Sequence, residues 1–597
     1  MTRIVLVPNP NRKSPDQPNV GEPYLPLGLL SVATVLRRSK FPVRIVDINQ
    51  RSLSLDPRQS AEAILDDKPD IIGFSTQVNE YPRTLEIAQL CKRKHPGSAI
   101  ILGGPQASTT DGATLGVFPF VDVIVRGECE SSIRPLVQAI ASSRALDGIP
   151  GLTFRKRGKI VRTGESTFPT ALDDLPMPDY SLVPNVREFK TVPIEIGRGC
   201  PFECTFCSTK DFFQRRFRFR KTQSLLQLMA HLHDEYGSSK FSFQHDNVTV
   251  SKTKMRELCD GMKELRLGVS WSCSARLDCL NEELVERMAA AGCRKIFMGI
   301  ETGSPRMQRL IGKRLDLDKV MPMAECLTAN GIRFTASFMM GFPQETMEDL
   351  EMTIRLMTTL RFKGNGREIV QMHMVSPFPG TRMYEENKAN LLFDGYFSDI
   401  ANPGLTEGMR TLVQQHPEIF PSFYCIGNKS LDREFLMKVN FLFLTLMHSF
   451  PYTSLAMSQM TRDYPRQLLD SLSLLDRPNS VWAAASKDIK IGSVHEFLKR
   501  VFQRMGADGQ IIQEVLDYET DAASLLHGLV SDDALLTREF KHDVEGWIGK
   551  AANGRTPPLA DLFQHHSNQI LFLKKDGKVR TMVLPSQLAK HIAADSR

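Results

Sequence analysis

Along the first 150 residues, short and almost continuous apolar runs alternate with stretches whose apolar positions recur every three or four residues. The runs RIVLV (3–7), VRIVDI (43–48), DIIGFST (70–76), AIILGG (99–104) and VDVIVRG (121–127) have the length of strands buried on both faces. Between them, 26–39 and 82–94 carry the period of amphipathic helices. This alternation predicts an α/β fold with a doubly wound parallel sheet, in which ligands bind outside the carboxyl ends of the strands. The segments at those ends are Thr76-Gln77-Val78-Asn79, Gly103-Gly104-Pro105-Gln106-Ala107-Ser108 and Gly127-Glu128-Cys129-Glu130. Gly-Gly-Pro lets backbone approach a ligand and fixes the loop, although composition alone also allows ordinary strand-to-helix turns. No G-x-G-x-x-G follows the first strand, so a dinucleotide site is not supported.

Residues 148–190 read as a linker that contains a hairpin, GLTFRKRGKIVRT, and an extended connector, DDLPMPDYS. The strand–helix pattern then resumes, with candidate strands at 192–199, 240–246, 269–276, 295–302, 333–342 and 368–377. Six such units over 191–396 suit a partial (β/α)6 barrel that works from its strand carboxyl ends. From 397 onward helical periodicity dominates, at 431–448, 466–475 and 494–505, and QILFLKKDGKVRTMVLP reads as a hairpin around Asp576-Gly577. The expectation is a first domain over 1–147 and a mainly α-helical C-terminal domain over 397–597.

Composition changes this picture little. The 597 residues are 42% hydrophobic and 24% charged, ordinary for a globular chain of three or four domains. A net charge of +7 is mild at this size and does not argue for nucleic acid. The 11 cysteines show no framework spacing of the secreted kind outside 200–207. MTRIVLVPNP reads as a strand and loop rather than a signal peptide. The most apolar helical stretch, 435–450, carries Lys438, Asn440 and His448 and so reads as a buried helix rather than a membrane span. The implied location is the reducing cytoplasm.

The chemistry concentrates in EIGRGCPFECTFCS, directly after the first barrel strand. Cys200, Cys204 and Cys207 form C-x3-C-x2-C, spaced to hold three irons of a four-iron cluster and leave the fourth open. A structural metal site would close its shell, and a zinc reading would need a fourth ligand from His231, His233 or His245. His245 can be read as a proton donor or as a scaffold residue. Arg215, Arg216, Arg218, Arg220 and Lys221, interleaved with Phe217 and Phe219, read either as a site for an acidic substrate, phosphate or reductase, or as a solvated loop. Cys259, Cys273, Cys279, Cys293 and Cys326 fall in apolar company as core residues, with Cys425 a candidate reactive thiol.

The cysteine triad with Phe206 before its last member, followed by Gln244-His245-Asp246-Asn247, Gly299-Ile300-Glu301-Thr302-Gly303-Ser304, Gly341-Phe342-Pro343-Gln344-Glu345-Thr346 and Pro377-Phe378-Pro379-Gly380-Thr381, resembles the radical S-adenosylmethionine (SAM) superfamily. PLGLLSVATVLR, VRIVDI, IIGFST, ILGGPQAS and RGECE resemble the Rossmann-like cobalamin-binding domain of its B12-dependent members, so the resemblance covers roughly 1–390. It implies three cofactors: a [4Fe-4S] cluster on Cys200, Cys204 and Cys207, SAM, and cobalamin. For SAM it implies Phe206, Glu301, Thr302, Gly303, Ser304, Ser337 and Arg276, with an ion pair to a neighbouring arginine as the alternative fate of Glu301. For cobalamin it implies Thr76, Gln77, Val78, Asn79, Gly103, Gly104, Pro105, Gln106, Ser108, Gly127 and Glu128. The D-x-H-x-x-G motif that gives cobalt a histidine elsewhere is absent, which points to Asn79 as the residue facing cobalt. Gly127-Glu128-Cys129-Glu130 departs from the family's common G-E-G-E.

The implied activity is C-methylation. SAM is cleaved to a 5′-deoxyadenosyl radical, hydrogen is taken from the substrate, and methyl passes from methylcobalamin to an unactivated carbon of a peptide or natural-product intermediate. The implied partners are that substrate and an electron donor such as flavodoxin or ferredoxin. Cyclisation, oxidation or rearrangement without net methyl transfer, and a non-catalytic cobalamin sensor, are the alternatives. The absence of an extra cysteine set in the first domain speaks against a methylthiotransferase. By resemblance the C-terminal domain covers the barrel mouth, where Phe420-Pro421-Ser422-Phe423-Tyr424 would line it, with core packing as the other reading.

Overall fold

The computed structural model describes residues 2–10, 25–49, 56–183, 186–363, 369–394, 405–460, 463–475, 487–505, 507–526, 536–552, 565–575 and 578–584. The first sheet contains β1 (Ile4–Val7), β2 (Val43–Ile45), β3 (Ile71–Ser75), β4 (Ala99–Gly103) and β5 (Val123–Val125), then β6 (Leu152–Lys156) and β7 (Lys159–Arg162). Its order is β2-β1-β3-β4-β5-β6-β7. β1 to β5 run parallel, and β6 and β7 add antiparallel. The apolar runs explain the two-sided burial. Ile4 and Leu6 face one core, with helices Leu27–Arg38 and Glu130–Ala141. Val5 and Val7 face the other, with Tyr81, Leu85 and Ala88 of helix Tyr81–Lys94. The hairpin expected in the 148–190 linker therefore belongs to this sheet: β6 pairs with β5 through Val125 and Leu152, and the sheet ends at Arg162 rather than before 148.

The second sheet contains β8 (Val192–Glu195), β11 (Lys240–Gln244), β12 (Ser270–Ala275), β13 (Cys293–Glu301), β14 (Arg333–Met340) and β15 (Ile369–Met374). Its six parallel strands, in the order β15-β14-β13-β12-β11-β8, form the partial barrel. A two-residue antiparallel pair, β9 (Gly197–Arg198) with β10 (Arg218–Phe219), closes off the loop that carries the three cysteines.

The remainder is mainly helical, including Arg433–Ser449, Lys487–Arg504 and Ala507–Leu526, with a three-stranded antiparallel sheet, Leu536–His542, His565–Lys575 and Lys578–Leu584. The expected C-terminal hairpin is present in that sheet. Its turn, Asp576-Gly577, and the expected domain start at 397 lie outside the described residues. Helix Arg433–Ser449 is buried against the barrel, where Asn440 Nδ2 donates to the Met372 carbonyl of β15 at 3.3 Å. Among the described residues no helix is long and apolar enough to cross a membrane. Phe420 and Phe423 are buried in the outer core of the first domain, beside Tyr81, rather than lining the barrel mouth. Burial pushes up the Cys425 thiol, whose sulfur lies 3.4 Å from the Leu392 carbonyl, so it has the character of a core residue.

The arginine run divides: Arg215, Arg216 and Lys221 are exposed, as in a solvated loop, whereas the other two arginines turn inward. Arg218 and Arg220 are buried. With Arg198 they meet Glu128 in the loop after β5, Glu130 at the start of the helix that follows, and Glu195 of β8. Arg198 donates to Glu195 at 2.8 Å, Glu128 at 3.1 Å and Glu130 at 2.7 Å. Arg218 makes a bidentate contact with Glu128, and Arg220 donates to Glu195 at 2.8 Å. Ser31 donates to Glu130 at 2.7 Å, which ties in the helix Leu27–Arg38. Three carboxylates thus balance three guanidinium groups across the boundary between the two sheets.

Removing one charge from such a buried set leaves its partners unpaired, at a cost of roughly 3–5 kcal/mol. Arg198→Met is expected to lower stability by that order in urea unfolding. Burial alone would raise the Glu130 carboxyl, but Arg198 outweighs it and holds the group below the ordinary value of 4.5. The stabilisation from Glu130 is therefore complete above pH 4.5 and lost as pH falls through the lower folded value. Acid unfolding of the variant should lack this component.

Candidate active site

The loop between β9 and β10 can take its shape only with glycine at its entrance. Gly199 has φ +82°, and a Cβ there would sit 2.1 Å from the Arg216 carbonyl oxygen. Within the loop the Cys207 amide donates to the Cys204 carbonyl at 3.2 Å. The back of the loop is fixed where Thr205 N donates to Ile311 O and Met383 N to Thr205 O, both at 2.9 Å. Phe206 packs edge-on against Phe342, with ring centroids 6.0 Å apart, so it anchors the loop as well as facing the cavity. Cys200, Cys204 and Cys207 all open onto one cavity of about 720 Å³, within the range of small-molecule sites.

Around the cysteines the charges are few and placed. Arg276, held by Asp278 and by the Lys313 carbonyl at 2.7 Å, points Nη1 at the Cys204 sulfur at 3.6 Å and stacks 3.7 Å over Phe202. Glu301 does form an ion pair, with Lys313 at 2.6 Å, and both line the cavity. Gly299 makes room for that pair, since a Cβ there would lie 2.2 Å from Glu301 Oε1. The strand register shifts between Gly299 and Glu301, and Glu301 has φ +70°, a strained conformation for a glutamate.

The other expected SAM residues build the loop rather than the wall. Thr302 shares a 3.0 Å hydrogen bond with Thr353. Gly303 lies so close to the Met352 carbonyl that a Cβ would meet it at 2.5 Å. Ser304 caps helix Pro305–Leu310 and donates to Asp349 at 2.5 Å. Ser337 is buried on β14 beside Gly299, off the cavity wall.

The first sheet supplies the opposite wall. Of the expected cobalamin residues, Gln77, Gly103, Gly104, Pro105, Gly127 and Glu128 face the cavity. Thr76, Val78, Asn79, Gln106 and Ser108 do not. Thr76 Oγ1 donates to Gly103 O at 2.9 Å and accepts from Ala107 N at 3.0 Å, while Gly104, at φ +106°, would drive a Cβ to 2.7 Å from the Thr76 carbonyl. Ser108 Oγ donates to Gly104 O and accepts from Gly127 N, and Gln106 donates to the Ile419 carbonyl at 2.7 Å. Val78 and Asn79, the latter read from the sequence as facing cobalt, lie in the short helix Val78–Glu80 and do not line the cavity. The Glu128 carboxylate is taken up by Arg198 and Arg218.

Several wall residues escaped the sequence reading: Leu27, Gly28 and Leu29 in the first helical turn, Phe212 and Phe213 after the cysteines, Phe297 on β13, and Lys313. The Pro-Leu-Gly-Leu start of the first helix was the available signal. Apolar residues and a glycine in a first turn do not need to face a core. Lys313 gave none, since its partner is fixed only by folding.

The donors fit the expected groups. Burial pushes the Cys200 thiol up to about 11 and raises Cys207, and the neighbouring thiols add to this. A cationic iron centre removes that penalty by taking the thiolates directly. His231 packs edge-on to Tyr236 and His233 Nδ1 lies 3.2 Å from the Ser238 carbonyl. Among the described residues no three His, Cys, Asp or Glu are grouped as a site for a single ion. Opposite the thiols, Gly28 would carry a Cβ with nothing within 4 Å and Gly103 one with nothing nearer than 3.8 Å, open space that suits a large flat ligand.

Comparison with known proteins agrees with this division. Residues 194–357 match the model of the Radical SAM superfamily and residues 18–137 that of the B12 binding domain. An uncharacterized methyltransferase of Pyrococcus horikoshii is 30% identical over 393 residues, covering 65% of this chain and 84% of the relative. An anaerobic magnesium-protoporphyrin IX monomethyl ester cyclase of Rubrivivax gelatinosus is 27% identical, covering 58% and 62%. In fold, the chain is similar to the radical S-adenosylmethionine methyltransferase TsrM of Kitasatospora setae, solved with cobalamin and a [4Fe-4S] cluster bound. The TM-score is 0.60 at 18% identity, over 84% of this chain and 100% of that one.

His245 lines the same cavity, with Phe217 edge-on at 5.1 Å and Gly197 so close that a Cβ would meet its ring at 2.3 Å. Its Nδ1 accepts from Asn247 N at 2.9 Å. Burial, with the Arg218 charge adding, lowers its pKa to about 4. A neutral ring throughout pH 5–8 is the expected outcome of ¹⁵N-histidine NMR. Titration near 6.5 would contradict the buried setting.

Proposed function

This chain belongs to the cobalamin-dependent radical SAM family, and from that premise we propose that it is a C-methyltransferase, moving methyl from SAM through cobalamin to an unactivated carbon. The observation that carries the reading is the single cavity with three cysteines on one wall and glycine-lined strand ends on the other. In this reading Cys200, Cys204 and Cys207 hold the cluster, Glu301, Lys313 and Arg276 receive SAM, and Gly28, Gln77, Gly103, Gly104 and Gly127 border cobalamin. When bound, these groups supply one-electron reduction, a hydrogen-abstracting species and a methyl carrier.

The chain's own residues position and protect. Glu301 and Lys313 offer opposite charges to the ammonium and carboxylate of an amino-acid group, and each can exchange its partner for that ligand without leaving a bare charge. Arg276 sets the polarity beside Cys204. Leu27, Leu29, Phe212, Phe213 and Phe297 line the cavity and limit water that would quench a reactive species. Neutral His245 can hold a hydrogen bond but does not supply a proton at pH 7. We assign the region from 397 on as a domain that helps select a peptide or natural-product substrate, and the reducing cytoplasm as the working compartment. An external electron donor completes the reaction.

The Rubrivivax gelatinosus relative favours one second reading, cyclisation without net methyl transfer. With methyl-labelled SAM and substrate, label in the product supports methylation, and a modified product without label supports the second reading. Cobalamin binding is tested at Gly28, where leucine suits the helix better than glycine by about 1 kcal/mol and its Cβ has no protein atom within 4 Å. Gly28→Leu is expected to fold normally and keep its cluster absorption. It should bind cobalamin about tenfold more weakly or worse, since overpacking costs roughly 1–3 kcal/mol.

A further inference from the structure

The outer side of the cysteine loop is covered by a thin strip of chain, residues 309–314. Gly312 touches the loop backbone, and a Cβ there would lie 2.9 Å from Glu203 O and 3.8 Å from Cys204 Cα. Ile311 accepts the Thr205 amide and is buried against Phe206. The other face of this strip is exposed. Leu310 is 46% exposed, and Arg309 and Arg314 beside it are exposed as well.

The charges around Leu310 do not cancel. Glu203 is taken by Arg215, and Glu386 by Arg382 at 2.6 Å. The Arg309 and Arg314 side chains make no ion pair among the described residues. The strip therefore presents an apolar centre with two uncompensated guanidinium groups, one chain layer from Cys204. This is the composition of a small, transient interface that captures an acidic partner by steering and releases it quickly.

We propose that Arg309, Leu310 and Arg314 form the docking surface for a small acidic one-electron carrier protein that reduces the cluster on Cys200, Cys204 and Cys207. The inference rests on the cluster assignment made above. One electron leaves the reduced carrier, which is oxidised by one equivalent, and enters the cluster, which is reduced by one. No bond forms or breaks in this step. The position also suits the transfer: the layer between surface and cysteine is a single backbone thickness, whereas the cavity side would be occupied by cofactors and substrate.

The experiment uses the full chain with its cluster reconstituted and flavodoxin hydroquinone as the carrier, with dithionite as a reductant that needs no docking. Cluster reduction is followed by its visible absorbance and electron paramagnetic resonance at low and high salt. An Arg309→Glu/Arg314→Glu double variant is expected to lose about tenfold or more of the flavodoxin-driven rate at low salt and most of its salt dependence. Leu310→Ser should lower the rate without changing the salt dependence. Reduction by dithionite should be unchanged in both, and Lys159→Glu, exposed on hairpin strand β7 of the first sheet, should behave as the unaltered protein. Flavodoxin-driven rates equal to the unaltered protein in both surface variants would overturn the proposal, as would an equal loss in Lys159→Glu. Failure of dithionite to reduce the unaltered protein would strike the cluster assignment instead. In that case the affinity of oxidised flavodoxin for the protein as isolated decides the docking surface, and equal binding to the unaltered protein and the double variant overturns it.

Discussion

The buried contact among Arg198, Arg218, Arg220, Glu128, Glu130 and Glu195 sets the geometry on which the cavity depends. Arg198 lies two residues before Cys200, and Arg218 ends the loop that begins there. Their carboxylate partners come from the segment that follows β5 of the first sheet and from the first barrel strand. Both ends of the cysteine loop are therefore fastened to groups on the opposite wall. Desolvating these ions is expensive, so the arrangement tolerates little slippage: a shift of the two sheets that breaks one pair leaves a bare charge inside the protein. Arg198 illustrates the balance. Burial lowers the affinity of its guanidinium for a proton, yet the three carboxylates hold that affinity well above the ordinary value.

Given that fastening, the rest of the site follows from strand direction. Both parallel sheets present carboxyl-terminal ends, the edge where loops are free to vary, and the network makes these two edges face each other. Close backbone approaches then shape the walls: Gly104 against Thr76, Gly199 against Arg216, and Gly299 beneath Glu301 and Lys313. The C-terminal region braces the outer side, since Gln106 donates to Ile419 while Phe420 and Phe423 enter the first domain's outer core. One of the residues next to a cavity-lining loop is thereby tied to a segment more than 300 positions away in sequence.

What could be read from the sequence follows the range of the interactions involved. Strands such as 4–7 and 71–75 were legible because burial on both faces leaves a continuous apolar run, and the grouping of the three cysteines on one loop because they are close in sequence. Glu301 was legible only in part: an ion pair with a neighbouring arginine stood as its alternative fate, and the partner that folding supplies is Lys313. Long-range pairing was not legible. Glu128 and Arg218 are 90 residues apart, and nothing in a local pattern distinguishes an arginine bound for a buried carboxylate from one on a solvated loop. Side-chain direction within a loop was equally hidden: Gln77 faces the cavity while Asn79, two residues on, does not, because a single helical turn intervenes. The hairpin at 152–162 was recognised as a hairpin but not as part of the sheet, since pairing with β5 is a tertiary choice.

The central claim is that the two walls enclose one space, so that the cluster and cobalamin share it. The most direct measurement is the spin relaxation of cob(II)alamin in the reconstituted protein, compared between the diamagnetic oxidised cluster and the paramagnetic reduced cluster. One shared cavity requires that reducing the cluster accelerates the relaxation of the cobalt spin in the same molecule. Relaxation indifferent to the state of the cluster would mean that the two groups sit in separate compartments, and would contradict the account.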